Sequence, residues 1–286
     1  MTKHVLTNLF SAARALLGGW PALGVLAALY AALLGACYLF MTTREATVWQ
    51  VLLTALLAVA VPVLLLLMLA GSARTALGET RPLALLAQAA ATGWKLFLVS
   101  LPLIALALLF VWGTNKLEDR VKPDPEEAAR AIQEREAAAA EGGPDAAGAR
   151  PLPPVRWKYV AVVALKLLLL GVVLPLLAIN LWLAVARDGL VGALRRLGST
   201  IARAFAPQSA LTYAVGLILF ALIPYLLLHT PTRFESNWLE LTLFSLRLLL
   251  AFAFTLFGWT LTLRALAQSA VLGSNNQAPS SAVAQG

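Results

Sequence analysis

Seven polar or charged side chains lie in or at the ends of long apolar stretches of this sequence, and they are the first candidates for chemistry. They are Arg74, Lys166, Asn180, Arg187, Glu240, Arg247 and Arg264. An ionisable group inside a bilayer is costly, so it pairs with another group, faces a polar cavity or reaches the headgroups. The chemistry open to these residues is therefore ion pairing, hydrogen bonding between helices, or binding of lipid phosphate.

The position of four of these side chains predicts a structural role for each. Lys166 lies early in its apolar stretch, from which a lysine can extend to the outer headgroups. Arg247 and Glu240 lie in the outer half of the last stretch, seven residues apart on one helix face, and are expected to anchor the outer leaflet. Asn180 is expected to hydrogen bond to a neighbouring helix.

The three remaining arginines are predicted to lie at the inner ends of their helices. Arg74 follows Pro62 by twelve residues, and Arg187 follows Pro175 by the same number. Twelve residues of helix extend about 18 Å, from mid-bilayer to the headgroups. Arg264 ends the last apolar stretch in a similar local sequence. Two interpretations stay open: anchoring by charge alone, or a clamp to the following helix or to an anionic lipid.

Catalytic and metal-binding patterns are missing from the sequence. No apolar stretch carries paired carboxylates, no His-x-x-x-His pattern occurs, and no glycine-rich phosphate loop precedes a lysine. The single cysteine, Cys37, excludes a disulfide within one chain. We therefore predict a protein that is not an enzyme and has no catalytic residue, cofactor or metal site.

The composition predicts the elements that carry these residues. The chain has 286 residues, of which 60% are hydrophobic and only 13% charged. Soluble domains carry about 25% charged residues. This chain therefore has too few charged residues to form the polar exterior that a protein needs in water. We predict an all-α polytopic membrane helix bundle with six transmembrane helices of the length that a bilayer requires. They span residues 20–41, 47–70, 94–113, 159–185, 209–229 and 238–263.

Tryptophans and amphipathic stretches support these six spans. All eight tryptophans lie near predicted span ends, four at each face, where indole rings favour the headgroup interface. Residues 6–17, 82–91 and 190–205 carry apolar residues at helical spacing beside arginines, which is typical of helices lying in the interface.

The order of these elements suggests an internal repeat. An interfacial helix followed by two spans recurs three times, in units of about 5–71, 72–185 and 186–267. Small residues also recur along span one, including Gly24, Ala27 and Gly35, and they predict close approach of another helix.

Two segments differ in composition from the rest of the chain. The polar insert 115–156 contains a predicted helix from Asp124 to about Ala140 that has no apolar face, so we expect it to be dispensable for folding. The tail 273–286 is rich in Gly, Ser, Asn, Gln and Ala and is predicted to be disordered. The predicted transmembrane domain accordingly covers residues 1–272.

The distribution of charge predicts orientation and partners. The face that carries both termini and loops 72–95 and 186–208 has ten Lys and Arg against two acids, within a net charge of +8 for the chain. The opposite side carries twelve Lys and Arg, but only four once the insert and its edge residue Lys158 are excluded. On that count the positive-inside rule places both termini in the cytoplasm and the insert outside a bacterial cytoplasmic (inner) membrane. The expected partners are membrane lipids with anionic headgroups. A protein partner or a homo-oligomer stays open, and no nucleic acid is expected.

The arrangement of interfacial helices, hairpins and the Pro62/Arg74 and Pro175/Arg187 pairs resembles a known group of membrane domains. Over about residues 70–270, the chain is similar to the membrane domains found beside bacterial glycerophosphodiester phosphodiesterases and to their stand-alone relatives. The resemblance implies a helical membrane domain. It implies no activity, because the acid and histidine motifs of the phosphodiesterase are absent.

Two functional hypotheses follow. The leading one is a non-enzymatic membrane protein that acts in envelope organisation or as an assembly partner. The alternative is a small permease or a permease subunit, which the scarcity of polar groups within the spans disfavours. A membrane enzyme ranks third.

Overall fold

The computed structural model describes residues 2–44, 47–121, 133, 157–230 and 237–275, and these ranges are helical apart from short connections. The helices are α1 (Thr2–Gly18), α2 (Trp20–Thr42), α3 (Val48–Ala76), α4 (Pro82–Val121), α5 (Trp157–Leu168), α6 (Leu174–Arg195), α7 (Leu197–Ala204), α8 (Pro207–Leu217), α9 (Ile223–His229) and α10 (Asn237–Asn275). Two π-helical segments, Leu169–Val173 and Ile218–Leu222, join α5 to α6 and α8 to α9. No strand occurs within the described ranges.

All six predicted spans correspond to helices of sufficient length and apolarity to cross a membrane. These are Trp20–Thr42, Val48–Ala76, Pro82–Val121, Trp157–Arg195, Pro207–His229 and Trp238–Ser269. Many large apolar side chains on them are exposed, among them Leu56, Leu108, Leu167 and Leu249. Such an outer surface requires lipid as its solvent. The chain is therefore an all-α, multi-pass integral membrane protein.

The three predicted interfacial stretches have different outcomes. Residues 82–91 do not form a separate helix, because α4 continues from Pro82 through the third span to Val121. Residues 190–205 are separated from the fourth span by a kink at Gly189 and divide into the end of α6 and all of α7. Residues 6–17 lie within α1, which forms its own helix.

Helix α1 packs against the protein as well as presenting an apolar outer side. Leu9, Ala12 and Leu16 are buried against Leu261 and Ala265 of α10. Phe10 and Leu17, which were expected on the same apolar face, are 78% and 65% exposed. The helix therefore has two apolar sides, one toward α10 and one outward, which hydrophobic spacing alone could not separate.

Proline explains both π-helical segments. The segment Leu169–Val173 ends two residues before Pro175, and Ile218–Leu222 ends two residues before Pro224. Proline has no N–H group and its ring collides with the carbonyl four residues earlier, so the wider π turn accommodates it. Pro62 and Pro102 lie inside helices without such a segment. Because Pro62 and Pro175 differ in this way, the three-fold repeat stays a prediction.

The described chain divides into two compact units. The larger contains residues 1–102 and 176–286, and the smaller contains residues 103–175. In the larger unit α2 packs along α3, and the hairpin of α8, α9 and α10 encloses close backbone contacts at Gly216 and Gly258. Gly24 and Gly35 of span one have nothing within 4 Å of the position that an added methyl group would take. Gly24 and Gly35 therefore mark no close contact in this structure, whereas Gly216 and Gly258 of the last hairpin do.

Six of the eight tryptophans are exposed, four of them at helix starts and two, Trp94 and Trp112, inside α4. The other two, Trp182 and Trp259, are half-buried. Trp182 donates its indole hydrogen to Ser100 Oγ at 3.1 Å. Trp259 packs edge-on against Phe220, with ring centroids 5.6 Å apart. These two rings have partners within the larger unit, and the split of four tryptophans at each interface stays a prediction.

Two predicted segments are only partly described. The first residues of the insert, up to Val121, continue α4. The predicted helix from Asp124 to Ala140 lies outside the described residues except at position 133. Residues 273–275 of the predicted tail belong to α10, and residues 276–286 lie outside the described part of the chain.

Candidate functional site

Four arginines from four helices lie at one end of the larger unit, around two neighbouring clefts. Arg74 lies near the end of α3, Arg187 in α6, Arg203 in α7 and Arg264 in α10. We call these four residues the arginine face. Two clefts open there, and both are lined by Leu77 and Ala267, so they are neighbours.

Arg74 ties the end of α3 to α4. Its guanidinium donates two hydrogen bonds to Thr92 Oγ1, from Nε at 3.2 Å and from Nη2 at 2.8 Å. The chain reverses between them through Gly78, which has a φ of 106°. Gly78 N–H donates to the Thr75 carbonyl and Glu79 N–H to the Arg74 carbonyl, both at 3.1 Å. This is a Schellman cap, in which glycine adopts the left-handed conformation without strain.

The carboxylate of Glu79, in the same turn, accepts hydrogen bonds from the beginning of α4 and the residue before it. The backbone N–H of Arg81 donates to its carboxylate at 3.0 Å, and Gln88 Nε2 donates at 2.9 Å. The hydrogen bond from Arg81 lowers the pKa of Glu79, and Gln88 adds to the effect. This carboxylate therefore stabilises the turn and does not pair with the arginine face.

Three guanidinium groups lie near a single carboxylate where α6 meets α7, and two of them contact it. Arg187 donates from Nε to Asp188 Oδ1 at 3.0 Å and from Nη2 to Oδ2 at 3.1 Å. Arg196 Nη1 lies 3.9 Å from the same Oδ2. Arg203 is half-buried and makes no hydrogen bond or ion pair among the described residues. Burial lowers the pKa of Arg203, and the nearby Arg187 charge lowers it further. Among the described residues the group carries a surplus of two positive charges.

The Arg203 cleft lies directly beside this group. Its polar lining consists of Asn180, Arg187, Thr200 and Arg203, and its remaining lining is apolar. The cavity volume is about 20 Å³, which admits roughly one water-sized group. Asn180 Nδ2 donates to the Leu176 carbonyl at 2.9 Å, so the expected bond to another helix is replaced by one within α6. An amide nitrogen has two hydrogens, and the second remains for the cleft.

The Arg264 cleft is larger, with a cavity volume of about 240 Å³. Arg264 and Gln268 supply its polar side chains, and Gly78 borders it. Arg264 Nη1 lies 3.4 Å from the Thr75 carbonyl, a long contact that leaves most of its donors available. Gln268 accepts a hydrogen bond from Ser11 through Oε1, which leaves its amide nitrogen as a further donor. Both clefts therefore present donors suited to an anion.

Buried polar side chains of the larger unit gather toward the arginine face. They are Ser72, Thr75, Thr92, Asn180, Thr200, Ser209, Thr212, Thr260 and Thr262. Each lies in the half of its span or connection that ends at this face. In the opposite halves of the spans the buried side chains are apolar among the described residues, as at Leu33, Ala36, Leu57 and Ala251, with the exception of Thr114 in the smaller unit.

Lys166 lies in the smaller unit and has two partners there. Its ammonium donates to Asn115 Oδ1 at 2.8 Å and to Glu118 Oε2 at 3.1 Å. The structure thus joins α5 to the extension of α4 through an ion pair, whereas the sequence predicted a lysine that reaches headgroups on its own. Because α4 continues to Val121, it carries the Glu118 carboxylate to within 3.1 Å of the Lys166 ammonium.

Arg247 caps a helix end in the larger unit. Its Nη1 donates to the backbone carbonyl of Thr230, the residue that follows α9. Glu240 is exposed on the same helix and makes no ion pair among the described residues. Arg247 thus has a partner within the protein, and the predicted outer-leaflet anchoring by Glu240 and Arg247 stays a prediction.

Sequence reasoning missed the residues that complete the site. Arg203, Asp188, Thr200 and Gln268 were not among the candidates, because none lies in an apolar stretch. A signal existed in the string Arg187-Asp188-Gly189, in which an ion pair precedes a residue able to reverse the helix. No group of three or more His, Cys, Asp or Glu side chains that could hold a metal occurs among the described residues.

Comparisons with protein-family models, with curated proteins and with solved structures return no match to this chain.

Proposed function

We propose that this integral membrane protein is non-enzymatic, lies in a bacterial cytoplasmic membrane, and binds anionic lipid headgroups through its arginine face. Through that binding it acts in envelope organisation or as an assembly partner. The surplus of guanidinium groups over carboxylates at one end of the larger unit carries the proposal. An anionic leaflet attracts basic residues near its surface with about 1 kcal/mol for each Lys or Arg.

The distribution of buried polar groups favours this function over a permease. A path for a polar solute would need polar side chains along the whole depth of the membrane. Among the described residues, nine of the ten buried polar side chains lie toward one end of the spans, and Thr114 is the single exception. This pattern suits a protein that binds ligands at one membrane surface.

Lipid selectivity tests the proposal. Protein in dodecyl maltoside micelles with equal amounts of phosphatidylglycerol and phosphatidylcholine is expected to retain phosphatidylglycerol preferentially, as measured by native mass spectrometry. Arg264→Gln should reduce this preference about fivefold, the equivalent of about 1 kcal/mol for one basic residue. Arg44→Gln removes the same charge from an exposed position at the other predicted face and should have little effect. Equal retention of both lipids by the unaltered protein would contradict the proposal.

Topology provides a second test. In a Cys37→Ser background, a cysteine introduced at Ala138 is expected to react with a membrane-impermeant maleimide in intact cells, and one introduced at Ser280 is not. The reason is the excess of Lys and Arg on the face that carries the termini. After permeabilisation both should react, which controls for the accessibility of each thiol. The reverse pattern in intact cells would place the arginine face outside and overturn the orientation.

A further inference from the structure

The pairing of charges around Arg203 is incomplete in a way that identifies the missing group. Arg187 occupies both carboxylate oxygens of Asp188, and Arg196 approaches one of them at 3.9 Å. Arg203 makes no hydrogen bond or ion pair among the described residues, and Asp188 acts on it only at longer range while it is engaged by Arg187. A half-buried guanidinium beside another cation is unfavourable unless an anion compensates it.

The available donors define the chemistry of that anion. Arg203 presents a full guanidinium edge, and Arg187 retains its Nη1 donors because Asp188 engages only Nε and Nη2. Asn180 also lines the cleft, and its amide nitrogen has a second hydrogen besides the one donated to the Leu176 carbonyl. Thr200 donates its hydroxyl hydrogen to the Arg196 carbonyl at 3.0 Å and so does not compete as a free donor. Planar guanidinium groups match the oxygens of phosphate, to which they can donate two parallel hydrogen bonds.

The size of the cleft suits one oxygen of such a group. A cavity of about 20 Å³ admits roughly one water-sized atom. A single phosphate oxygen can enter between Asn180 and Arg203, while the other oxygens stay at the mouth near Arg187. A whole headgroup cannot enter this cleft, whereas the neighbouring Arg264 cleft of about 240 Å³ has room for more.

The fold holds these donors together through a sharp kink. Gly189 has φ 75° and ψ 175°, which ends the straight course of α6 and directs the chain toward α7. Thr200 and Arg203 of α7 thereby line the same cleft as Asn180 and Arg187 of α6. The donors come from residues up to 23 positions apart in the sequence, from Asn180 to Arg203.

We propose that Arg203, Arg187 and Asn180 form a specific site for one phosphate group, which is supplied by a lipid headgroup or by a soluble phosphate. The inference rests on the proposed function in that it assigns a defined ligand class to part of the arginine face. It goes further because it requires a particular guanidinium and not only positive charge.

Two probes in dodecyl maltoside micelles test the site and identify the source of the phosphate. The first is inorganic phosphate, compared with chloride at equal ionic strength. The second is phosphatidylglycerol, compared with oleate, an anionic lipid without phosphate. Thermal unfolding is the readout. Stabilisation by inorganic phosphate indicates a soluble ligand, and stabilisation by phosphatidylglycerol alone indicates a headgroup; either result supports the site.

Matched variants separate the site from general electrostatics. Arg203→Gln is expected to weaken the apparent affinity for the effective probe about tenfold, as for loss of a hydrogen-bonded charge. Arg195→Gln removes the same charge from an exposed position that does not line the cleft, and it should bind like the unaltered protein. Arg203→Lys keeps the charge without the planar edge and should show intermediate affinity. It also carries the test if the glutamine variant does not fold.

Three results would overturn the site. The first is an equal response of the Arg203 and Arg195 variants to both probes. The second is stabilisation by oleate that equals stabilisation by phosphatidylglycerol. The third is that neither probe stabilises the unaltered protein. If the protein still retains phosphatidylglycerol over phosphatidylcholine in these cases, the proposed function stands and only the specific site falls. If that selectivity is absent while inorganic phosphate stabilises, the site stands and the proposed lipid function falls.

Discussion

Replacing Gly216 or Gly258 with alanine is expected to lower the melting temperature of the detergent-solubilised protein by about 4–8 °C each, from overpacking of about 2 kcal/mol. A methyl group on Gly216 would collide with the side chain of Thr262, and one on Gly258 would lie 2.9 Å from the backbone nitrogen of Phe220. Both distances are shorter than van der Waals contact allows. At Gly258 the obstacle is backbone, and at Gly216 it includes Cβ of Thr262, so neither can move aside as the end of a flexible side chain can. Thermal unfolding followed by tryptophan fluorescence measures the effect.

A rescue and a control make this expectation specific. Thr262→Ala removes Oγ1 and Cγ2, the two atoms nearest to a methyl group on Gly216, and leaves Cβ at 2.9 Å. The double variant with Gly216→Ala should therefore recover part of the loss. The same substitution should not rescue Gly258→Ala, whose obstacles are Leu219 and the backbone of Phe220. Gly24→Ala, in open space on α2, should be neutral or slightly stabilising, since alanine favours helix over glycine. If Gly216→Ala and Gly24→Ala unfold at the same temperature, the last hairpin is not closely packed at Gly216.

Replacing Gly189 with alanine is expected to have the second large effect, and through the backbone alone. A φ of 75° with a ψ of 175° is accessible to essentially no residue except glycine, and holding another residue there costs about 1–3 kcal/mol. Nothing lies within 4 Å of the added methyl position, so side-chain collision does not contribute. We expect a lower melting temperature together with weaker retention of phosphatidylglycerol, because the kink positions Arg203 beside Arg187.

Gly198 provides the matched control within the same segment. It lies in α7 with ordinary helical geometry and open space around it. Gly198→Ala should stabilise the protein by about 0.5–1 kcal/mol through helix propensity. If Gly189→Ala is equally harmless in both stability and lipid retention, the chain does not need this kink, and the kink does not assemble the Arg203 cleft.

The sequence by itself determined the number, type and approximate limits of the spans. Each depends on about twenty consecutive residues being apolar, a local property that no distant contact can alter in a membrane. It also predicted that Arg74, Arg187 and Arg264 share one end, since the connections alternate between the two membrane faces. The predicted span boundaries were less accurate where an amphipathic or polar segment continued the helix of a span, as in α4. The merging of 82–91 and 115–121 into α4 depends on continuous backbone hydrogen bonding, for which polar and apolar residues serve equally.

Only the tertiary structure decided which side chains meet. Arg187 and Arg203 lie 16 residues apart and line one cleft because Gly189 redirects the chain, and a glycine in a sequence does not state its φ. Lys166 reaches Glu118 across 48 positions, and Gly216 receives Thr262 from the facing helix. In a chain rich in Leu and Ala, many helix rotations bury similar apolar area, so apolar patterning does not select among them. The close glycine contacts and the few polar pairs are specific to one arrangement, and the structure had to reveal them.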